Sequence, residues 1–403
     1  MSPRPRLGAL EERPFRLLWA GQATSALGDA LIGVALAFAV LELGGSAGDL
    51  GLVFAARTTS SVVFVLVGGV WADRLPRRVV MLTADAVRAA VQATVAVLLV
   101  AGSAEVWHLG VAGFVSGAAS AFFIPASTGL VPETVSPDRL QQANATIALS
   151  RNAAEIGGPA LAGVLVALVG AGWVFALDAA SYAVSTLTLL ALRLPAVAPV
   201  ELRQSFFSDL RDGWREIASR TWLWVSLAAD SVANVGMACF YVLGPVIAAR
   251  ELGGSGDWGG IVAAGAVGGV LGSALALRWR PARPLATAYG LLFLATLQLL
   301  ALVPPLPAPA IAAASVCAYV AIGFSGALWE TTFQQHVPRA ALSRVSAYDW
   351  MISLVFRPLA YGLVGPAVVL LGQDGVLVGG AVLLAAAAAG ALAVPSVRGL
   401  RAA

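Results

Sequence analysis

Apolar residues run along this chain in stretches of roughly twenty to twenty-five, too long for a strand and too uniformly greasy for a helix that is half in water. Short polar or Pro-bearing breaks separate them. Requiring about twenty mostly apolar residues per crossing predicts twelve helical spans, near 16–41, 48–72, 79–102, 106–130, 144–169, 172–194, 222–248, 258–278, 285–304, 309–333, 345–371 and 375–396. The Pro-bearing ends at Pro125, Pro132, Pro304 and Pro305 are the hardest to place, since proline ends or bends a helix.

Composition agrees with that pattern. The 403 residues are 59% hydrophobic and only 12% charged, against about 25% charged in soluble domains, so the apolar surface must face lipid. The polar, Arg-bearing start is followed by an apolar run longer than a cleaved signal's core, and that run reads as the first span. Cys239 and Cys317 fall inside apolar runs with no metal-ligand spacing and read as core thiols.

Arginine orients the chain. All 25 basic residues are Arg, and twenty of them fall at the termini and in alternate loops, whereas the opposite loops hold Arg250 alone. Basic residues near span ends are retained on the cytoplasmic side. Both termini are therefore expected in the cytoplasm of a cell whose plasma membrane holds the chain. A span missed midway would put every later loop on the wrong side.

The longest polar break, about 195 to 221, lies at the middle. It divides the chain into a six-span bundle over 1–194 and another over 222–403. A shift of 202 residues superposes Leu140 on Leu342, Ala145 on Ala347, Leu161 on Leu363, Gly163 on Gly365 and Gly170 on Gly372, as duplicated halves would. The break itself places Phe206, Leu210, Trp214 and Ile217 on one helical face and Asp209, Arg211, Asp212 and Arg215 on the other. It reads as a linker helix lying on the inner membrane surface. The fold class is thus an all-α membrane protein of twelve transmembrane helices in two pseudo-symmetric bundles.

Charges inside spans stand out because each costs about 2.5–3.5 kcal/mol at a span centre on insertion scales. Asp29 lies midway along span 1, and Asp230, 201 residues on, holds the near-equivalent place in span 7 with Asn234 one turn away. Two desolvated carboxyls at a central cavity suit proton exchange or cation binding; structural pairing of Asp29 with Arg57 of span 2 is the competing reading. Arg151 and Glu155, four apart, suit a local ion pair. Arg357, at the repeat position of Glu155 and followed by Pro358, suits a charge contact between helices. Glu330 and Gln334, one turn apart, line the cytoplasmic mouth or hold a gate. Trp19, Phe122, Phe123, Tyr241, Trp329 and Trp350 supply either aromatic walls for a lipophilic substrate or ordinary interface aromatics.

Several chemistries find no residues here. A phosphate loop of the Gly-x-x-x-x-Gly-Lys kind needs a lysine that the sequence does not have. His108 and His336 are the only histidines and form no metal-binding or triad pattern with the two cysteines. The expectation is a chain that is not an enzyme, needs no cofactor or metal and binds no nucleic acid. It would work as a monomer in the lipid bilayer with a small-molecule substrate and protons as its partners.

One loop carries more than topology. Gly69-Val-Trp-Ala-Asp73-Arg74-Leu-Pro76-Arg77-Arg78, between spans 2 and 3, resembles the Gly-x-x-x-Asp-Arg-x-Gly-Arg-Arg signature of the Major Facilitator Superfamily, with Pro76 in place of the second Gly. "FRLLWAGQATSALGD", "VPETVSPDRLQQANA" and "LWETTFQQHVPRAALSRVSAYDW" are similar to bacterial drug-exporter-like members, including the branch of macrolide and siderophore exporters. The resemblance implies alternating access between two six-helix bundles, with this loop as a cytoplasmic gate. In that role the Asp73 carboxylate meets a helix N-terminus, an attraction of up to about 1 kcal/mol or somewhat more when partly buried. Arg74, Arg77 and Arg78 belong to the gate, Asp85 and Arg88 extend it or pair with each other, and Asp349 partners its arginines. Pro76 stiffens a turn that glycine would leave free. In span 5, Gly158, Pro159 and Gly163 resemble the Gly-Pro-x-x-x-Gly element typical of antiporters, small residues admitting a close neighbour and proline bending the helix. Span 4 has none of the Arg that many proton-coupled exporters carry there, and Arg57 is the available substitute. The function implied is proton-coupled export of small amphiphilic compounds. The alternatives are a lipid or lysolipid flippase, which needs a lateral opening, and a non-transporting membrane sensor, which would tolerate neutral residues at 29 and 230.

Overall fold

The structure, a computed structural model, describes residues 8–193, 211, 214–338 and 342–402, without the side chains at 65–74, 342–344, 346–347, 350–351 and 353–354. It is built of helices. After a 3-10 turn at Gly8–Glu11 come α1 (Arg13–Glu42), α2 (Ala47–Arg74), α3 (Arg77–Val100), α4 (Val106–Thr134), α5 (Leu140–Val169) and α6 (Ala171–Ala191). Then follow α7 (Thr221–Glu251), α8 (Ser255–Arg278), α9 (Pro284–Leu292), α10 (Thr296–Leu300), α11 (Ala308–His336), α12 (Leu342–Ala393) and the single turn α13 (Pro395–Arg398).

Local chemistry explains the ends. Pro14 opens α1, where its missing N–H costs nothing, and Gly44 at φ 77° stops it. Glu105 and His108 close a capping box on α4. Between α5 and α6 a single residue, Gly170, turns the chain at φ 84°, and Gly372 interrupts α12 in the same way at φ 74°. These are the two glycines that the 202-residue shift superposes. Both take a backbone conformation that a side chain resists.

Nine helices among the described residues are long and apolar enough to cross a membrane. The ninth, Val355–Ala393, holds two expected spans joined through Gly372. The expected span 285–304 is a shorter apolar helix, Pro284–Leu300, in which a 3-10 turn at Phe293–Ala295 joins α9 to α10. Large apolar side chains such as Val369 and Leu277 are 86% and 78% exposed, which is favourable where the neighbour is hydrocarbon and costly where it is water. For the same reason Cys317, expected in the core, lies on an exposed face of α11, while Cys239 is buried. A span greasy on every side buries only the face that meets its neighbours.

The chain divides into two compact units, Met1–Gly45 with Ala56–Glu201, and Ser46–Ala55 with Leu202–Ala403. The start of α2 therefore clusters with the second unit, although the sequence assigns it to the first. Glycine allows this: a Cβ at Gly51 would overlap the Tyr361 carbonyl oxygen, and one at Gly365 would overlap Gly48. In the first unit α1 packs on α5 and α6, and α3 on α4 and α6. In the second, α7 packs on α12 and α8 on α11. The α8–α11 seam closes to backbone contact because Gly268, Gly272 and Gly323 each face a main-chain carbonyl where a Cβ would stand. Of the linker helix, residues up to 210 lie outside the described ones. Trp214–Ala218 is helical, with Ile217 buried and Arg215 exposed.

Candidate functional site

The first unit holds a cavity of about 560 Å³. Asp29 of α1, Arg57 of α2 and Arg88 of α3 line it, with Phe123 of α4 and Arg151 and Glu155 of α5. The Asp29 carboxylate lies 3.7 Å from Arg57 and 3.9 Å from Arg88 and accepts a 2.6 Å hydrogen bond from the Tyr182 hydroxyl of α6. The two guanidinium contacts are long and the phenol contact is short. Arg88 pairs with Asp85, its guanidinium lies 4.4 Å from the ring centres of both Phe123 and Tyr182, and its buried Nε has no hydrogen-bond partner among the described residues. Asp85 also accepts 2.6 Å from Ser185. Arg151 and Glu155 pair at 3.2 Å on an open face of α5.

Of the two sequence readings of Asp85 and Arg88, pairing with each other or extending the cytoplasmic gate, the structure shows the pair, and it lies at Asp29. The physical reason is distance along α3: eleven residues from Arg77 to Arg88 rise about 16 Å, half the thickness of a bilayer core. Arg77 and Arg78 stay at the start of α3. Arg77 donates to the Gly129 carbonyl at 2.8 Å and pairs with Glu133 of α4 at 2.8 Å. Arg78 donates to the carbonyls of Leu189 and Leu190 at 2.7 and 2.9 Å, where a cation meets the negative end of α6. The side chains of Asp73 and Arg74, and whatever Gly69 faces, lie outside the described residues.

The second unit holds a smaller cavity of about 230 Å³, lined by Asp230 and Asn234 of α7, Tyr289 of α9 and Trp329 of α11 among apolar neighbours. The Tyr289 hydroxyl lies 3.3 Å from the Ser226 main-chain oxygen and 3.4 Å from the Asp230 carboxyl. No basic side chain among the described residues stands within 4.0 Å of that carboxyl. Arg357 donates to the Asn234 side-chain oxygen at 3.0 and 3.2 Å. The Trp329 indole donates to Asp349 at 3.3 Å, and Gln334 to Glu330 at 2.6 Å. One difference between the units bears on charge. A shift of 201 carries Asp29 onto Asp230 and Arg88 onto Tyr289, so the carboxyl faces cations and a phenol in the first unit and a phenol without a cation within 4.0 Å among the described residues in the second.

Sequence reasoning passed over Asp178, Gln92 and Tyr182. Asp178 of α6 is fully buried and accepts 2.6 Å from the Gln92 amide of α3. Its signal was present in "FALDAASYAVS": a lone acid midway along a span, the criterion that singled out Asp29. In α5, Gly158, Pro159 and Gly163 are buried, and a Cβ at Gly158 would overlap Ala30 of α1, so that helix pair needs a glycine there.

Comparison with known proteins follows the same lines. Residues 18–358 match the Major Facilitator Superfamily. An uncharacterized MFS-type transporter of Bacillus subtilis, YfiS, is 30% identical over 45% of this chain and 42% of its own length. The multidrug efflux pump Tap of Mycolicibacterium fortuitum is 25% identical over 88% of each chain. The chain spans about half the length or less of several curated relatives it matches. Among solved structures, the nucleoside transporter NupG superposes with a TM-score of 0.71 at 15% identity, covering 94% of this chain and 98% of its own, a likeness of fold. The apolar helices, the two helical units and the match over residues 18–358 give one conclusion: the chain is a multi-pass membrane protein that belongs to the Major Facilitator Superfamily.

Proposed function

We propose that this protein exports small amphiphilic compounds from the cell in exchange for protons, by alternating access. The observation that carries the reading is the setting of Asp29. It is a carboxylate midway along α1, open to a cavity of about 560 Å³, and held by two long guanidinium contacts and one short phenol bond. Cavities of a few hundred to a thousand cubic ångströms suit drug-sized ligands. Contacts of 3.7 and 3.9 Å are weak enough for a proton or a cationic group of the substrate to replace one of them, so occupancy of the cavity and the charge state of Asp29 are linked. Asp230, facing Tyr289 and Trp329 with no base beside it among the described residues, suits the positive end of an amphiphile. The multidrug pump Tap, similar along 88% of this chain, supports efflux. The Arg distribution supports a plasma-membrane location with both termini cytoplasmic.

The test is accumulation of a panel of antibiotics and dyes in efflux-deficient bacteria expressing wild type, Asp29→Asn or Asp230→Asn, with and without a protonophore. Wild type lowers accumulation, the protonophore abolishes the effect, and both variants lose it. Well-expressed wild type that changes nothing for any compound, or Asp29→Asn that pumps like wild type, overturns the reading.

A further inference from the structure

In the buried cluster of the first unit, the carboxyls outnumber the guanidiniums by one among the described residues. Asp29, Asp85 and Asp178 face Arg57 and Arg88, three carboxyls against two guanidiniums. Asp29 and Asp85 each have a guanidinium within 4.0 Å. Asp178, fully buried, has none among the described residues. From the elements packed on α6 the titratable and charged groups nearby are Asp29 of α1, Asp85 and Arg88 of α3, and Arg151 with Glu155 of α5, which neutralise each other. Tyr182 lies on α6 itself, and Arg57 faces the cluster from α2. None of them supplies the missing positive charge.

The hydrogen bonds around Asp178 leave room for a proton on one oxygen. Gln92 Nε2 donates to Oδ2 at 2.6 Å, a bond that a carboxylate or the carbonyl oxygen of the acid accepts, so a proton would sit on Oδ1. Ser181 Oγ lies 2.8 Å from the Asp178 main-chain oxygen and 3.4 Å from Oδ1. A hydroxyl has one hydrogen. Spent on the shorter bond to the main chain, it leaves only lone pairs toward Oδ1, so that contact is a hydrogen bond only when Oδ1 carries the proton. Gly28 of α1 is what lets the carboxyl sit there, since a Cβ at that position would overlap Oδ1. The acid is thus held at the α1–α6 seam, beside the residue that precedes Asp29.

We propose that Asp178 is a proton-binding site, holding as a neutral carboxylic acid the proton that balances this cluster, at the α1–α6 seam behind the cavity that Asp29 lines. Loss of the proton turns the acid into a carboxylate and adds a third negative charge. That charge competes with Asp29 for Arg57 and Arg88 and loosens the long contacts at the cavity wall. The coupling to export rests on the exporter reading; the protonation itself does not.

The experiment is infrared spectroscopy of the purified full chain in detergent, which reads the C=O stretch of a protonated carboxyl without any substrate. Wild type minus Asp178→Asn shows a protonated-carboxyl band at neutral pH, and wild type minus Asp29→Asn does not. Gln92→Leu, which removes the donor to Oδ2, keeps the band and moves it to higher frequency. A wild-type spectrum that Asp178→Asn leaves unchanged, or a band that Gln92→Leu does not move, overturns the assignment. If Asp178→Asn fails to fold, the Gln92→Leu shift decides alone. Failure of the exporter reading shows up separately, as wild-type cells that accumulate every compound normally while the band remains.

Discussion

Replacing Arg88 by Met tests whether the buried cluster holds the first unit together. The Arg88 side chain is 4% exposed and its partner Asp85 is fully buried. Removing the guanidinium leaves Asp85 with Ser185 at 2.6 Å as its remaining side-chain hydrogen bond. Breaking a buried ion pair from one side costs about 3–5 kcal/mol, because the other charge stays behind. The two ring faces at 4.4 Å add about 1–2 kcal/mol, offset in part by the Met side chain filling the space of the Arg stem. Polar pairs between membrane helices average only about 0.6 kcal/mol in double-mutant cycles. Those averages reflect pairs that find partners in the unfolded state, whereas here a full charge is stranded at a fully buried position, and the larger figure prevails. The expected loss for Arg88→Met is therefore about 4 kcal/mol, close to a thousandfold in the folded-to-unfolded ratio. Removing both partners, as Arg88→Met with Asp85→Leu, strands nothing at Asp85 and recovers most of that loss, a coupling of about 3 kcal/mol. Equilibrium unfolding in mixed detergent micelles, followed by tryptophan fluorescence, measures Arg88→Met, Asp85→Leu and the double variant. A double variant as unstable as Arg88→Met, or a single variant within about 1 kcal/mol of wild type, refutes the reasoning.

Two further outcomes follow from backbone geometry. Gly170→Ala and Gly372→Ala each force a side chain onto a positive φ with nothing within 4 Å of the new Cβ, so each costs about 1 kcal/mol of unfolding free energy from the backbone alone. Gly379→Ala, helical with the same open space, is the control and is expected to be as stable as wild type or more so, and equal losses for all three would contradict the argument. Gly272→Val drives a side chain into the Val320 carbonyl of α11, where no flexible group can yield. It lowers stability by about 1–3 kcal/mol, measured in the same unfolding experiment, and a variant as stable as wild type would show that the α8–α11 seam has room.

The sequence alone determined the class of structure, because a bilayer leaves little choice. Every backbone polar group in a span must be satisfied within the helix, so long apolar runs mean helices whatever their partners. Position along a span is also legible: Asp29 and Asp230 were visible as charges where charge is expensive, and Gly170 and Gly372 as matched breaks between spans. Pairing was not legible, since it is made between helices far apart in the chain. Asp29 meets Tyr182, Gln92 meets Asp178 and Asp85 meets Ser185 across separations of 153, 86 and 100 residues. Nothing local in a greasy helix records which of its faces meets a neighbour and which meets lipid, as Cys317 shows by lying exposed on α11. Only the packing of α1, α3 and α6 decided that Asp85 and Arg88 belong beside Asp29 and that Asp178, among the described residues, has no guanidinium within 4.0 Å.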